Sequence, residues 1–201
     1  MMTWKIKPDF VSFITPSKGR PSLEKTIQSL LDLDDWNWRC YIIFDGISPP
    51  KLNYNYIDDN HFVVIESDKI GHAGLLRNLA LPLIDTRWTA FLDDDDFLSS
   101  TYVSKLKLYE RIDKEKDIFI FSYLDVENQN LQPPRHLNKI IRCNVGISFA
   151  IKTEFVKNNN IQFIAGGIED FEFLDQCEKK GAKYLITHDV QYFVGHRSSW
   201  K

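Results

Sequence analysis

The chain has 201 residues, with 25 Lys and Arg against 28 Asp and Glu, a formal net charge of −3 and 43% hydrophobic residues. This is globular composition, which excludes a disordered chain, and the slight acidity argues against a nucleic-acid partner, which would favour a basic face. Three cysteines without a C-x-x-C pair, no signal-like N-terminus and no apolar run near the ~20 residues of a membrane helix predict a soluble, cytoplasmic or cytosol-facing protein. The length fits a single α/β domain over residues 1–201.

Short apolar runs alternate with helical patterns, as expected for a mostly parallel sheet flanked by helices. Phe10–Thr15 is the first predicted strand, stopped by Pro16-Ser17-Lys18-Gly19-Arg20-Pro21. Leu23, Ile27, Leu30 and Leu31 follow at helical spacing. Cys40–Phe44 is the second strand, ended by Asp45-Gly46, and Phe62–Glu66 the third. Gly71 to Gly74 opens a helix through Leu75, Leu76, Leu79 and Ala80. Trp88–Leu92 is the fourth strand, and a long amphipathic helix follows through Val103, Leu106 and Ile112. Asp117–Tyr123 is the fifth strand, and the polar stretch from Leu124 to Arg142 reads as a hairpin or a loop. Gly146–Ile151 is strand-like, Asp170–Lys180 is helical with a Gly181 stop, and Lys183–Thr187 and Gln191–Val194 complete the sheet.

The fourth strand delivers Asp93-Asp94-Asp95-Asp96, so four carboxylates emerge at a strand's carboxyl end, where open α/β sheets bind ligands. Adjacent carboxylates repel one another unless a cation lies among them. Alternate residues of an extended segment share a side, so Asp93 and Asp95 can converge on one Mg²⁺ or Mn²⁺. A solvated acidic turn capping the next helix is the competing reading, although a cap needs one Asp and not four.

Phe91-Leu92-Asp93-Asp94-Asp95-Asp96-Phe97-Leu98 resembles the "DXD" segment of GT-A glycosyltransferases, particularly the family-2 type. The likeness covers most of the chain. Thr15-Pro16-Ser17-Lys18-Gly19-Arg20 resembles the first-strand loop that receives the nucleotide. Phe44-Asp45-Gly46-Ile47-Ser48 resembles an Asp-Asp-Gly-Ser segment whose acid reads the base, with Phe44 in place of the first acid. Gly71-His72-Ala73-Gly74-Leu75-Leu76-Arg77-Asn78 is similar to a helix start near the diphosphate and sugar. Ile168-Glu169-Asp170-Phe171 is similar to a Glu-Asp pair on the acceptor side.

The resemblance implies a GT-A (nucleotide-diphospho-sugar transferase) fold, with the nucleotide-sugar half at about 1–98 and the acceptor half at about 99–201. It implies transfer from a UDP-sugar, or next a GDP-sugar, to a glycan, lipid-linked or protein-linked acceptor, with inversion. Asp170 becomes the general base and Glu169 its support, holding acceptor or sugar hydroxyls. Thr15, Pro16, Ser17, Lys18, Arg20, Asp45, Gly71, Arg77, Asn78, Asp93 and Asp94 become nucleotide-sugar contacts. Asp95 and Asp93 become metal ligands, completed by His196, with His188 a second candidate for that place. The residues fit these roles chemically: Lys18, Arg20 and Arg77 are phosphate donors, a helix N-terminus favours anions, and imidazole suits Mn²⁺. Asp45 could equally cap its Asp-Gly turn, and Glu169-Asp170 could be plain helix-capping acids.

Two other classes compete. A metal-dependent phosphotransferase of haloacid-dehalogenase or TOPRIM kind fits poorly, because the first strand lacks the nucleophilic Asp or strand-end Glu they require. A non-catalytic GT-A-like module that binds a nucleotide sugar or glycan differs only in turnover. A length near the minimum for the fold and an abrupt end at Ser198–Lys201 are what a module of a larger protein would show.

Overall fold

The computed structural model describes residues 9–57 and 59–195. Strand β1 (Val11–Ser17) is buried along its whole length, its polar Ser12, Thr15 and Ser17 included, because both of its faces are covered. Helix α1 (Leu23–Leu31) leads to β2 (Trp38–Asp45), then β3 (Phe62–Ser67), helix α2 (Ala73–Ala80) and β4 (Trp88–Phe91). β1 pairs in parallel with both β2 and β4, and β2 with β3, so the first half is wholly parallel in the order β3-β2-β1-β4. All of these strands end at the same edge, and the loops there build the site.

The second half mixes parallel and antiparallel pairing. β5 (Phe97–Leu98), helix α3 (Tyr102–Ile112), β6 (Ile118–Asp125), β7 (Asn130–Gln132), β8 (Phe149–Lys152), helices α4 (Thr153–Asn159) and α5 (Glu169–Lys179) and β9 (Tyr184–Val194) follow. β8 is antiparallel to both β4 and β6, β7 is antiparallel to β6, β5 is antiparallel to β9, and only β6–β9 is parallel. The result is one mixed α/β sheet in the order β3-β2-β1-β4-β8-β6-β9-β5.

That sheet must curl. β4 and β5 lie four strand spacings apart in the order, ~19 Å if the sheet were flat. The chain from Phe91 to Phe97 could span that only when nearly extended, at ~3.5 Å per residue. It instead makes a turn, with the Asp96 N–H donating to the Asp93 carbonyl at 3.1 Å. Curling brings β5 back over α1, where the Leu98 N–H donates to Ser29 Oγ at 3.2 Å and the Thr26 hydroxyl to the Asp96 carbonyl at 2.7 Å.

The two expected terminal strands are one strand, β9. His188 interrupts its pairing with a left-handed φ of 57°, and the register against β6 shifts between Ile120 and Tyr123. The polar stretch after β6 starts with a hairpin, β6–β7, as one of the two readings proposed. Helix α4 was not foreseen, because seven residues ending in Lys157-Asn158-Asn159 carry too little apolar periodicity to declare themselves. Among the described residues, no helix is long and apolar enough to cross a membrane.

Candidate active site

The four aspartates are divided by the strands on either side of them. Asp94 faces the β1 loop: its Oδ2 accepts from the Ser17 hydroxyl at 2.8 Å and from the Lys18 N–H at 3.0 Å. Ser17 Oγ in turn accepts from the Gly19 N–H at 2.9 Å, so Asp94 shapes that loop. Asp96 faces β9, accepting from the Tyr192 hydroxyl at 2.7 Å and the Gly195 N–H at 2.8 Å. Burial, with Asp93 close by, pushes the Asp96 carboxyl up to about 8. Gly195 is required by close approach, since a Cβ there would stand 1.9 Å from the Asp95 carbonyl oxygen.

Asp93 and Asp95 are left facing the cleft. Arg20 holds Asp95 at 2.5 Å and approaches Asp94 at 3.6 Å. Arg77 donates to Asp93 through one guanidinium nitrogen and to Glu169 at 2.6 Å through the other, with Asp170 at 3.9 Å. Only 1% of Arg77 is exposed, and its three acidic neighbours hold it charged by raising its pKa against the cost of burial. A buried guanidinium is tolerated because its partners are ionised and placed around its fork.

Glu169 is fully engaged, unlike its expected role of holding acceptor or sugar hydroxyls. Its second oxygen accepts from the Gly74 N–H at 2.9 Å and lies 3.1 Å from His72 Nδ1. It thereby caps α2, whose own N-cap residue, His72, makes no side-chain capping bond. Gly74 admits this approach, because a Cβ would meet Glu169 Oε2 at 2.5 Å. Asp170, next in sequence, is the free member of the pair. Its Oδ1 is buried without a hydrogen-bond partner, and enclosure by the cleft, opposed by Arg77 but reinforced by Asp93 and Glu169, raises its pKa to about 7.

The cleft has two lobes that meet at Asp93, Asp95 and Asp170. One, of about 470 Å³, is bounded by the β1 loop (Pro16, Ser17, Lys18 and Arg20), Asp45, Gly71, the N-terminus of α2 and the Gly166-Gly167 loop. The other, of about 480 Å³, is bounded by Asp96, Tyr123, Gly146, Ile147, Tyr192, Val194 and Gly195. Sequence reasoning missed Tyr192 and Gly195. Nothing local marks them, since their partners lie 96 and 99 residues away.

Three expected nucleotide-sugar residues turn away from an open role. Thr15 is buried, with its hydroxyl 3.5 Å from Cys40 Sγ. Asp45 borders the first lobe, but its carboxylate accepts from the Ile70 N–H at 2.6 Å and the Gly71 N–H at 3.1 Å, clasping the loop before α2. Asn78 donates to the Phe163 carbonyl at 2.8 Å and accepts from the Phe163 N–H at 2.9 Å, pinning the segment that leads into Gly166-Gly167. Asn78→Ala should therefore cost about 1–3 kcal/mol in chemical denaturation, as two partly buried bonds are lost and a backbone pair is orphaned. A loss below a few tenths would show that the clamp is not made.

His188 contacts Asn138 at 3.1 Å and borders neither lobe. His196 lies outside the described residues. Among the described residues no three metal-ligating side chains converge. Asp93 and Asp95 nevertheless border both lobes, and desolvation together with neighbouring carboxylates, opposed by Arg20, raises the pKa of Asp95. Mg²⁺ and Mn²⁺ are commonly held by one or two carboxylates plus phosphate oxygens, so this donor set fits such an ion.

Residues 12–196 match the family described as Glycosyl transferase family 2. TuaG of Bacillus subtilis (strain 168), named for a role as a glycosyltransferase in teichuronic acid biosynthesis, is 37% identical over 101 residues, 48% of this chain and 38% of TuaG. S. aureus TarS 1–349 in complex with UDP-GlcNAc superposes with a TM-score of 0.80 at 17% identity, over 94% of this chain and 59% of that one. The mannosyltransferase PcManGT from Pyrobaculum calidifontis, in complex with GDP-Man and Mn²⁺, superposes at 0.70 with 13% identity, over 95% and 59%. At these identities the structures establish the fold, which is that of GT-A glycosyltransferases. The chain spans less than two thirds of each of these relatives. Since the match takes in β1, the aspartate run, α2 and the Glu169-Asp170 pair together, the chain belongs to glycosyl transferase family 2.

Proposed function

We propose that this chain transfers a sugar from a nucleoside-diphosphate donor, a UDP-sugar foremost and a GDP-sugar next, to an acceptor hydroxyl with inversion. The observation that carries the reading is the buried Asp170 oxygen that accepts no hydrogen bond, at the junction of two lobes beside Asp93 and Asp95. The first lobe suits the donor: Lys18 and Arg20 flank it, two cations suited to phosphate oxygens. The second lobe suits the acceptor. TarS bound to UDP-GlcNAc and PcManGT bound to GDP-Man support the donor class, and TuaG's name supports a glycan acceptor.

In the reaction the acceptor oxygen attacks the anomeric carbon, its proton passes to Asp170, and the bond to the diphosphate breaks with the electron pair leaving on the diphosphate. Asp93 and Asp95 would hold a divalent cation, Mn²⁺ or Mg²⁺, which when bound neutralises charge on the leaving diphosphate. Arg20 must release Asp95 for this, and is then free to reach phosphate oxygens. Arg77 keeps Asp93, Glu169 and Asp170 in place without entering the chemistry.

Calorimetry of UDP with and without Mn²⁺ tests the assignment. Wild type should bind UDP more tightly with Mn²⁺, and Asp95→Ala should lose that increment while keeping its melting temperature within a few degrees. Unchanged Mn²⁺-dependent binding in Asp95→Ala would remove Asp95 as a metal ligand.

A further inference from the structure

The second lobe is lined by four carboxylates, Asp93, Asp95, Asp96 and Asp170, and by no basic side chain. The segment that leads into it has the opposite character. From residue 128 to 153 the chain contains no Asp or Glu, although it carries 28 acids overall. Arg135, His136, Lys139 and Arg142 lie on this stretch, and all are exposed. None of Arg135, Lys139 and Arg142 has an ion-pair partner among the described residues. Arg20 and Arg77, the arginines of the cleft, are by contrast bound to its acids.

The segment is fastened to the sheet as a strap. Gln132 pairs with Tyr123 at one end, Asn138 meets His188 of β9 in the middle, and the far end enters the cleft, Val145 at the first lobe and Gly146 and Ile147 at the second. Arg142 is three residues from Val145, within ~10 Å along the chain. Arg135 is likewise three residues from Gln132, whose pairing partner Tyr123 borders the second lobe, so Arg135 and Arg142 stand near the two ends of the strap that meet the cleft, and Lys139 lies at its middle.

We infer that the strap is an acceptor platform and that the acceptor is an anionic glycan, carrying phosphate or carboxylate groups. This rests on the second lobe being the acceptor side. The lobe offers no basic side chain to an anionic group, so a hydroxyl-bearing unit enters it while the charges of neighbouring units rest outside on Arg135, Lys139 and Arg142. A bilayer surface is the weaker match. Ile141 is the one large apolar side chain exposed on the strap, whereas Leu137 and Ile140 are half-buried, and insertion needs a broad apolar face.

The test uses fluorescence anisotropy with labelled oligogalacturonate, polyphosphate and a neutral maltooligosaccharide, and flotation with phosphatidylglycerol–phosphatidylcholine vesicles. Both soluble polyanions should bind wild type about tenfold more tightly than the neutral sugar, and weaken as salt rises from about 50 to about 200 mM. The variant Arg135→Ala/Lys139→Ala/Arg142→Ala should lose that advantage with its melting temperature unchanged. Arg135→Lys/Arg142→Lys should retain it, because net charge is kept. The inference is overturned if the alanine variant binds polyanions like wild type, if neutral and anionic probes bind alike or not at all, or if the vesicles bind and the soluble polyanions do not. UDP binding, measured in parallel, reports on the donor lobe, so failure of the transferase reading registers separately.

Discussion

Asp170→Asn should lower kcat by ~10²–10⁴-fold, the usual effect of removing a general base, while the donor Kd stays nearly unchanged. The asymmetry follows from position. Asp170 meets both lobes, but its free oxygen makes no bond in the resting protein, so its contribution arises as the acceptor loses its proton. Asparagine keeps the volume and cannot take the proton. The base must be ionised to act, and its pKa is raised to about 7, so kcat/KM of the wild type should rise with pH up to about 7 and level off above it. Steady-state kinetics across pH, alongside calorimetry of the variant with UDP, gives both readouts. Near-normal turnover of Asp170→Asn would transfer the role to another carboxylate, and Glu172, whose Oε2 is also unpartnered, would be the next to replace.

Arg77→Met should give the largest loss of stability, about 3–5 kcal/mol, since it removes the charge shared by Asp93, Glu169 and Asp170 and leaves those carboxylates facing one another. Methionine fills similar volume, so packing against the Phe163 ring is largely kept and the loss reports on charge. The deficit should shrink at low pH. Without Arg77 the three acids repel one another unopposed and protonation relieves that repulsion, so the variant's native state takes up protons that the unfolded chain does not hold. Urea denaturation at pH 5 and pH 8 should therefore show the smaller difference from wild type at pH 5. A variant within about 1 kcal/mol of wild type at pH 8 would mean that the three acids do not depend on this guanidinium.

Much of the site is legible in one dimension because the chemistry is concentrated there. The run Asp93–Asp96 directly after a buried strand, the Pro/Gly-punctuated basic loop after β1, and Glu169-Asp170 at a helix start are each local patterns, and each lies beside the cleft. The parallel first half was equally readable, since a strand buried on both faces declares itself by an apolar run such as Cys40–Phe44 in β2.

What each polar residue does was decided by partners far away in the chain. Period-two alternation says only that Asp93 and Asp95 share a side. That Asp94 is spent on the β1 loop and Asp96 on β9 follows from strands 77 and 96 residues distant. The same applies to Asp45 and Asn78, which keep their expected neighbourhood but give their hydrogen bonds to backbone, and to Glu169, which caps a helix 95 residues earlier. A sequence shows which residues can donate or accept. Only the packed structure shows which of them have already found a partner, because burial favours satisfying each polar group with whatever the fold brings within reach, and among the buried carboxylate oxygens it leaves those of Asp170 and Glu172 without a hydrogen bond.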